Sequence, residues 1–473
     1  MFQTTSIVNR RILVVLLMLV LMASGRGVAS QRDELPRGEI VESVASKADP
    51  QQTYALYLPS RYSPDKKWPI LYAFDPGARG KLPVSLFKEA AEKFGYIVVG
   101  SNNSKNGIQV SEIIKAIWAD THARFAIDDS RVYTTGFSGG ARVAFATALA
   151  YQGAVAGVIA CSAGFPGNAP PAPGLAFVVF ATTGTEDFNF PEMQQLKRKL
   201  DTVGARNHLE VFAGGHDWAP ADLCTQAIAW MEVQAMKKGA RAKDEALIDL
   251  LLQQRTAAAE AYETAGKNYE AYLEYQALAA DFKDLRDARE LEANASRLAA
   301  IKETKAAIKS ERAEEDRQRD LETKLQTLLG QLQNPATYAD TFAELKSVVS
   351  DLTRKSEDAK DISQQRVARR ALQAVFVQVY EAANGLALVK NNTGAAEKLE
   401  LAALLKPKNP RLFYELAIAY ARAGNKSKAI NALGRAIENG FTDLAKIEQN
   451  ADFDPLRNEA GYKKLVTGFK KTL

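Results

Sequence analysis

A chain of 473 residues, 47% of them hydrophobic, can bury more than one core and is long enough for two or three domains. The formal charge of +5 falls to +2 without the first 29 residues, which carry Arg10, Arg11 and Arg26 and no acid. So near a balance gives no basis for nucleic acid or an anionic membrane as partner.

The chain opens with Arg10 and Arg11, an apolar run from Ile12 to Ala23, and small residues ending at Val28-Ala29-Ser30. This three-part order predicts a secretory signal over residues 1–30, cleaved after Ala29 or Ser30. An uncleaved anchor is the alternative, but 12 apolar residues span too little of a roughly 30 Å hydrocarbon core. The mature protein is therefore expected to be exported, periplasmic or secreted, with no stable membrane insertion. In such a compartment Cys161 and Cys224 are permitted a disulfide but do not require one. Neither they nor the three histidines show the clustered spacing of a metal site, so no metal or cofactor is expected.

From Gly38 to about Lys237, within a first domain set at 31–237, short β-type runs alternate with helical ones, the pattern of a parallel sheet covered on both faces. The strands are expected near 39–44, 53–58, 70–74, 96–100, 132–136, 157–161, 176–181 and 208–212. That count approaches the eight strands of an α/β-hydrolase sheet. The loop after the third run, Asp75-Pro76-Gly77-Ala78-Arg79-Gly80, has glycines that allow amides to turn inward, and Gly77 or Ala78 is the candidate for one oxyanion donor.

The fifth run leads into Gly136-Phe137-Ser138-Gly139-Gly140 and then a helix-forming stretch, the strand, sharp turn and helix of a nucleophile elbow. Glycines stand where a tight turn leaves no room for side chains. Ser138 is the expected nucleophile and the Gly139 N–H the first oxyanion donor. A serine hydroxyl needs a base, and His216, just past the last strand, occupies the expected position. His122 precedes the elbow in a helical segment, and His208 reads as an ordinary strand residue. Asp187, after the seventh run, is the expected acid, preferred to Glu186. Asp217 adjoins His216, and neighbours in an extended loop point apart.

With these residues in hand, the segments Tyr54 to Pro59, Ile127 to Tyr133 and Gly215-His216-Asp217-Trp218 resemble the compact serine esterases, polyhydroxybutyrate depolymerase-like and feruloyl-esterase-like α/β-hydrolases. The resemblance covers about residues 38–236 and implies ester hydrolysis through an acyl-enzyme, with Ser138, Asp187 and His216 matching the triad in order. One departure is Asp75-Pro76-Gly77 in place of the usual His-Gly, which bears on the oxyanion loop and the substrate range. Only Gly164 to Gly174 lies where many lipases insert a lid, which predicts an open site.

After Lys237 the composition turns to Ala, Glu, Lys, Leu, Arg and Gln, predicting an all-α second domain over 238–473. Three-four spacing at 291–308 and 321–332 suggests a coiled-coil seam, interrupted by the charged stretch Lys309 to Asp320, expected to be a solvated helix or a hinge. A period of about 34 residues resembles tetratricopeptide repeats over 410–443 (Ala417, Tyr420, Gly424, Ala429, Leu433, Ala436), 376–409 and, weakly, 252–285. Stacked helix pairs of this kind predict a protein or peptide partner on the repeats. The expected function is an exported serine hydrolase acting on a small-molecule or polymeric acyl ester, with nothing after about 237 needed for the chemistry. A serine peptidase or acyltransferase on the same fold, and a catalytically dead scaffold, are the alternatives.

Overall fold

The computed structural model describes residues 35–167, 171–357 and 360–472. The expected signal segment 1–30 lies outside them, as do residues 168–170 within the short Gly164 to Gly174 loop. Eight strands form one sheet: β1 Ile40–Ala45, β2 Thr53–Tyr57, β3 Trp68–Phe74, β4 Ile97–Ser101, β5 Ile127–Phe137, β6 Gly157–Cys161, β7 Val178–Gly184 and β8 Asn207–Phe212. Their order is β1-β2-β4-β3-β5-β6-β7-β8; β2 pairs antiparallel with both β1 and β4, and every pair from β4 to β8 is parallel. This is the α/β-hydrolase sheet, and the strand-end chemistry of such folds gathers at one carboxyl edge.

Both faces of the sheet are covered because strand side chains alternate. On one face Leu71, Val98 and Ile159 pack with α1 (Lys81–Phe94) and α5 (Ala221–Lys238). On the other, Ile70, Val99 and Val158 pack with α2 (Ser111–Arg124), α3 (Gly139–Ala150) and α4 (Phe190–Thr202). Anchors such as Phe87 and Phe145 are fully buried and each stabilise the layer by about 1.5–3 kcal/mol. Cys161 and Cys224 are free, buried thiols, pushed up in pKa by burial.

The rest of the chain is helical: α6 Glu245–Thr264, α7 Asn268–Phe282, α8 Arg289–Ala300, α9 Lys302–Gln331, α10 Tyr338–Glu357, α11 Ile362–Leu388, α12 Asn392–Leu405, α13 Pro410–Arg422 and α14 Lys426–Glu438, followed by shorter pieces to Thr472. Helices pair as hairpins where the 34-residue spacing falls. In α13 and α14 the small residues Ala417, Ala429 and Ala436 are fully buried, and Gly424 turns the chain at φ 77°. Close approach of two helices requires small contacts of this kind.

Two expectations for this half are corrected. The seam proposed over 291–308 is broken at Ile301, whose extended backbone (φ −64°, ψ 139°) separates α8 from α9. The charged stretch Lys309 to Asp320 is continuous helix rather than a hinge, and it is solvated on one face only: Lys309, Arg312, Asp316, Arg317, Arg319 and Asp320 are exposed, whereas Glu314, Glu315 and Gln318 are buried. Glu315 pairs with Arg198 of α4 at 2.7 Å, and Glu314 with Arg366 of α11 at 3.0 Å. Composition showed charge; only the fold shows that partners desolvate it.

The helical half shares a boundary layer with the sheet. Helix α5 ends at Lys238 with Gly239 left-handed (φ 78°), yet its Val233 and Met236 belong to the core of α6 and α7. A buried polar cluster joins the halves. Asp281 of α7 accepts from Trp230 Nε1 at 2.7 Å and Arg255 Nη1 at 2.7 Å, and its carboxylate lies 3.5 Å from His208 Nδ1. His208 is thus more than an ordinary strand residue. Burial pushes its pKa down, but Asp281 and Glu210 outweigh burial and raise it to about 8.

Candidate active site

Ser138 sits where β5 breaks into α3, with φ 52° and ψ −120°. A non-glycine residue holds such a backbone only when its surroundings leave no alternative. The glycines around it supply that constraint. A Cβ on Gly136 would stand 2.1 Å from the Gly140 carbonyl oxygen, and one on Gly140 would stand 2.0 Å from that of Phe74. The turn therefore closes only with glycine at both places, and it projects the serine above the carboxyl edge of the sheet.

From neighbouring strand ends come the other two groups. His216, on the loop after β8, places Nε2 2.9 Å from Ser138 Oγ and Nδ1 2.8 Å from Asp187 Oδ1. Asp187, on the loop after β7, is fully buried, and accepts the Asn189 N–H at 2.8 Å and the Thr183 hydroxyl at 3.3 Å. The imidazole lies between the rings of Phe188, at 4.1 Å, and Phe137, at 4.7 Å. A carboxylate holding Nδ1–H leaves Nε2 free to take a hydroxyl proton, the arrangement that activates a serine.

The competing residues are placed elsewhere. Glu186 points to Arg369 at 3.8 Å, and Asp217 caps the N–H of Trp218 at 2.8 Å. His122 stacks on Trp118 at 4.9 Å in α2. No group of His, Cys, Asp and Glu among the described residues converges to hold a metal ion.

The oxyanion loop departs from expectation. Gly139 opens α3, where the first N–H groups of a helix have no partner within it and face incoming negative charge. The Gly77 N–H, however, donates to Asp75 Oδ1 at 2.8 Å, and the Ala78 N–H to the Asp75 carbonyl at 3.0 Å. Both candidate amides are thus spent inside their own loop, and Gly77 and Ala78 are corrected as oxyanion donors in this conformation. The organiser is Asp75, which is buried and also receives Arg79 through Nε and Nη2, both at 2.8 Å, and Trp218 Nε1 at 2.9 Å. Burial alone would raise its carboxyl pKa; these donors outweigh it and hold the pKa below the ordinary range.

Sequence reasoning missed Asn106. Its backbone N–H donates to the Pro76 carbonyl at 3.0 Å, and its amide covers Gly139 so closely that a Cβ there would meet Oδ1 at 1.9 Å. Nothing in the local pattern Asn102 to Gly107 distinguishes it from a polar loop. Although no lid is inserted after β6, α11 borders the site: Arg370 donates to the Thr185 carbonyl at 2.9 Å, and Glu381 accepts from Asn106 Nδ2 at 3.0 Å.

Comparison with known proteins bears on the sheet half. A family model described as phospholipase/carboxylesterase matches residues 100–224. That span holds Ser138, Asp187 and His216. No curated protein matches the chain in sequence. Among solved structures, the chain is similar to a fluorophosphonate-binding serine hydrolase of Staphylococcus aureus, at 16% identity over 41% of this chain and 99% of that one, with a TM-score of 0.35. It is similar to a feruloyl esterase module from Clostridium thermocellum at 17% identity, over 40% of this chain and 85% of that one (TM-score 0.33). An esterase of Pyrobaculum calidifontis shares 14% identity over 49% and 94% of the two chains (TM-score 0.34).

Proposed function

We propose that the protein is an exported serine hydrolase that cleaves carboxylic esters through an acyl-enzyme, with the helical half as a module for a protein or peptide partner. The observation that carries this reading is the unbroken relay Ser138 Oγ, His216, Asp187, at 2.9 and 2.8 Å, on a strained elbow. Ser138 Oγ attacks the ester carbonyl carbon as its proton passes to His216 Nε2. The Gly139 N–H meets the oxyanion. The imidazolium then protonates the departing alkoxide, leaving the acyl group on Ser138. Water, deprotonated by His216, attacks that carbonyl; collapse releases the acid, and the proton returns to Ser138.

Export rests on the signal-like residues 1–30. Partner binding rests on the tetratricopeptide-like spacing and on a cavity of about 790 Å³ between helices α10 and α14, lined by Phe342, Phe413 and Tyr420 with Lys346, Lys428 and Arg435. The lining also carries Glu357 and Glu400, the latter paired with Lys428 at 3.1 Å, and its aromatic groups among charges of both signs suit an extended peptide. The test of the chemistry is a panel of short acyl aryl esters and aminoacyl anilides. Ester turnover should fall by at least about three orders of magnitude in Ser138→Ala. Turnover by that variant within about tenfold of wild type would remove Ser138 from the mechanism.

A further inference from the structure

The acid of the relay sits on a loop that the sheet half does not hold alone. Residues 184–190 leave β7, carry Asp187 and enter α4, and helices far along the chain grip this loop. Gln318 of α9 donates Nε2–H to the Phe188 carbonyl at 2.8 Å, across a separation of 130 residues. Arg370 of α11 donates Nε–H to the Thr185 carbonyl at 2.9 Å, across 185 residues, and its Nη2 reaches the same oxygen. The Arg370 guanidinium also lies 4.0 Å over the Phe190 ring, and Arg369 faces Glu186 at 3.8 Å. The held residues flank Asp187, and Phe188 is the ring packed on His216.

Arg370 is an expensive residue to keep for packing alone. It is 1% exposed, no carboxylate among the described residues stands within ion-pair distance, and its Nη1 has no acceptor. Glu314, Glu186 and Asp187 act on the guanidinium only from beyond ion-pair distance, so a charge buried without a direct partner remains destabilising, and a methionine or leucine would fill the space without that penalty. Departures of this kind gather where a site requires them. Burial, with the nearby Arg366, lowers its pKa to about 10, which leaves it cationic at neutral pH. The same helix continues for 11 residues to Glu381, about 16 Å at 1.5 Å per residue, where it holds Asn106 beside Gly139.

We propose that Arg370 and Gln318 are positioning residues for Asp187, so that the helical half completes the catalytic geometry by fixing the acid loop. The proposal rests on the serine-hydrolase reading above, and it replaces the expectation that nothing after about residue 237 serves the chemistry. Their action runs through Asp187: a loosened loop lets the carboxylate drift from His216 Nδ1, and the imidazole loses both its orientation and the charge that stabilises its protonated form.

The test uses the full chain, with the rate of Ser138 labelling by a fluorophosphonate, and kcat and KM on a short acyl aryl ester, all counted per labelled active site. Arg370→Met should lower the labelling rate and kcat by about 10- to 100-fold with KM nearly unchanged, the scale of a displacement near 1 Å. Arg370→Lys should recover much of the loss, because an ammonium can still donate to the Thr185 carbonyl. Gln318→Met, which removes one hydrogen bond and keeps the volume, should show a smaller loss of the same pattern and carries the test should Arg370→Met fail to fold. In an Asp187→Asn background, Arg370→Met should change labelling by less than about twofold, because residues acting as one unit are not additive. Unchanged labelling per folded molecule in the single variants, or effects that multiply in the double variant, would overturn the proposal while leaving the hydrolase reading intact. Absence of labelling in the wild type would overturn both.

Discussion

Raising the pH from 6 to 9 should loosen the junction between the two halves, and the effect should trace to His208. Its folded pKa is raised to about 8 against an ordinary value near 6.5, burial being outweighed by Asp281 and Glu210. A raised pKa means that the folded state binds the proton more tightly. The stabilisation is therefore complete below about 6.5 and is lost as pH rises through about 8. At 1.36 kcal/mol per unit, the interval corresponds to about 2 kcal/mol. Asp281, held down to about 2 despite burial by His208 and Arg255, describes the same interaction from its partner and is not added. The assay is urea unfolding, followed by far-ultraviolet circular dichroism, of the wild type and His208→Phe at pH 6, 7, 8 and 9. Phenylalanine keeps the stack on Phe180, at 4.8 Å in the wild type, and leaves Asp281 its bonds to Trp230 and Arg255. The stability gap between the two proteins should shrink by about 2 kcal/mol across that range. A gap constant to within about 0.5 kcal/mol would refute the reasoning.

Three further outcomes follow from particular contacts. Gly140→Ala forces a Cβ to 2.0 Å from the Phe74 carbonyl oxygen, so the elbow must open; soluble expression or ester turnover should collapse, and a variant with normal melting and turnover would show that the turn has slack. Arg198→Ala removes the 2.7 Å partner of Glu315, which is 2% exposed although Arg198 itself is half-exposed, and should cost about 1–3 kcal/mol in chemical denaturation, with a loss under about 0.5 kcal/mol counting against a desolvated Glu315. His216→Ala should abolish fluorophosphonate labelling while His208→Ala keeps it, and equal effects would mean that the wrong histidine has been assigned to the base.

The sheet was legible because parallel strands buried on both faces are near-continuous apolar runs, as Ile97 to Val99 and Gly157 to Cys161 illustrate. The elbow was legible because one of its glycines, Gly136, is demanded by a contact four residues on, with Gly140, although Gly140 itself answers to the distant Phe74 carbonyl. Ser138, Asp187 and His216 could be singled out because each follows a strand, and strands bring their ends to one edge. What stayed hidden depends on distant partners. Asp75 gave no sign that it would capture the Gly77 N–H and Trp218, because that choice is made by a residue 143 positions away. Glu314, Glu315 and Gln318 read as solvated because a charge run looks the same in water and in an interface. Arg370 lies in a helix where arginine is an ordinary surface residue, and only the packed halves reveal its burial.

The most direct measurement on the central claim is peptide mapping of the full-length protein after reaction with a fluorophosphonate. Phosphonylation requires an activated serine and no knowledge of the natural ester. One adduct per chain is expected, on the peptide containing Gly136 to Gly140 and assigned to Ser138, with labelling lost in His216→Ala and slowed by about three to four orders of magnitude, but still measurable, in Asp187→Asn. An adduct at another serine, or none on a folded wild-type protein, would contradict it.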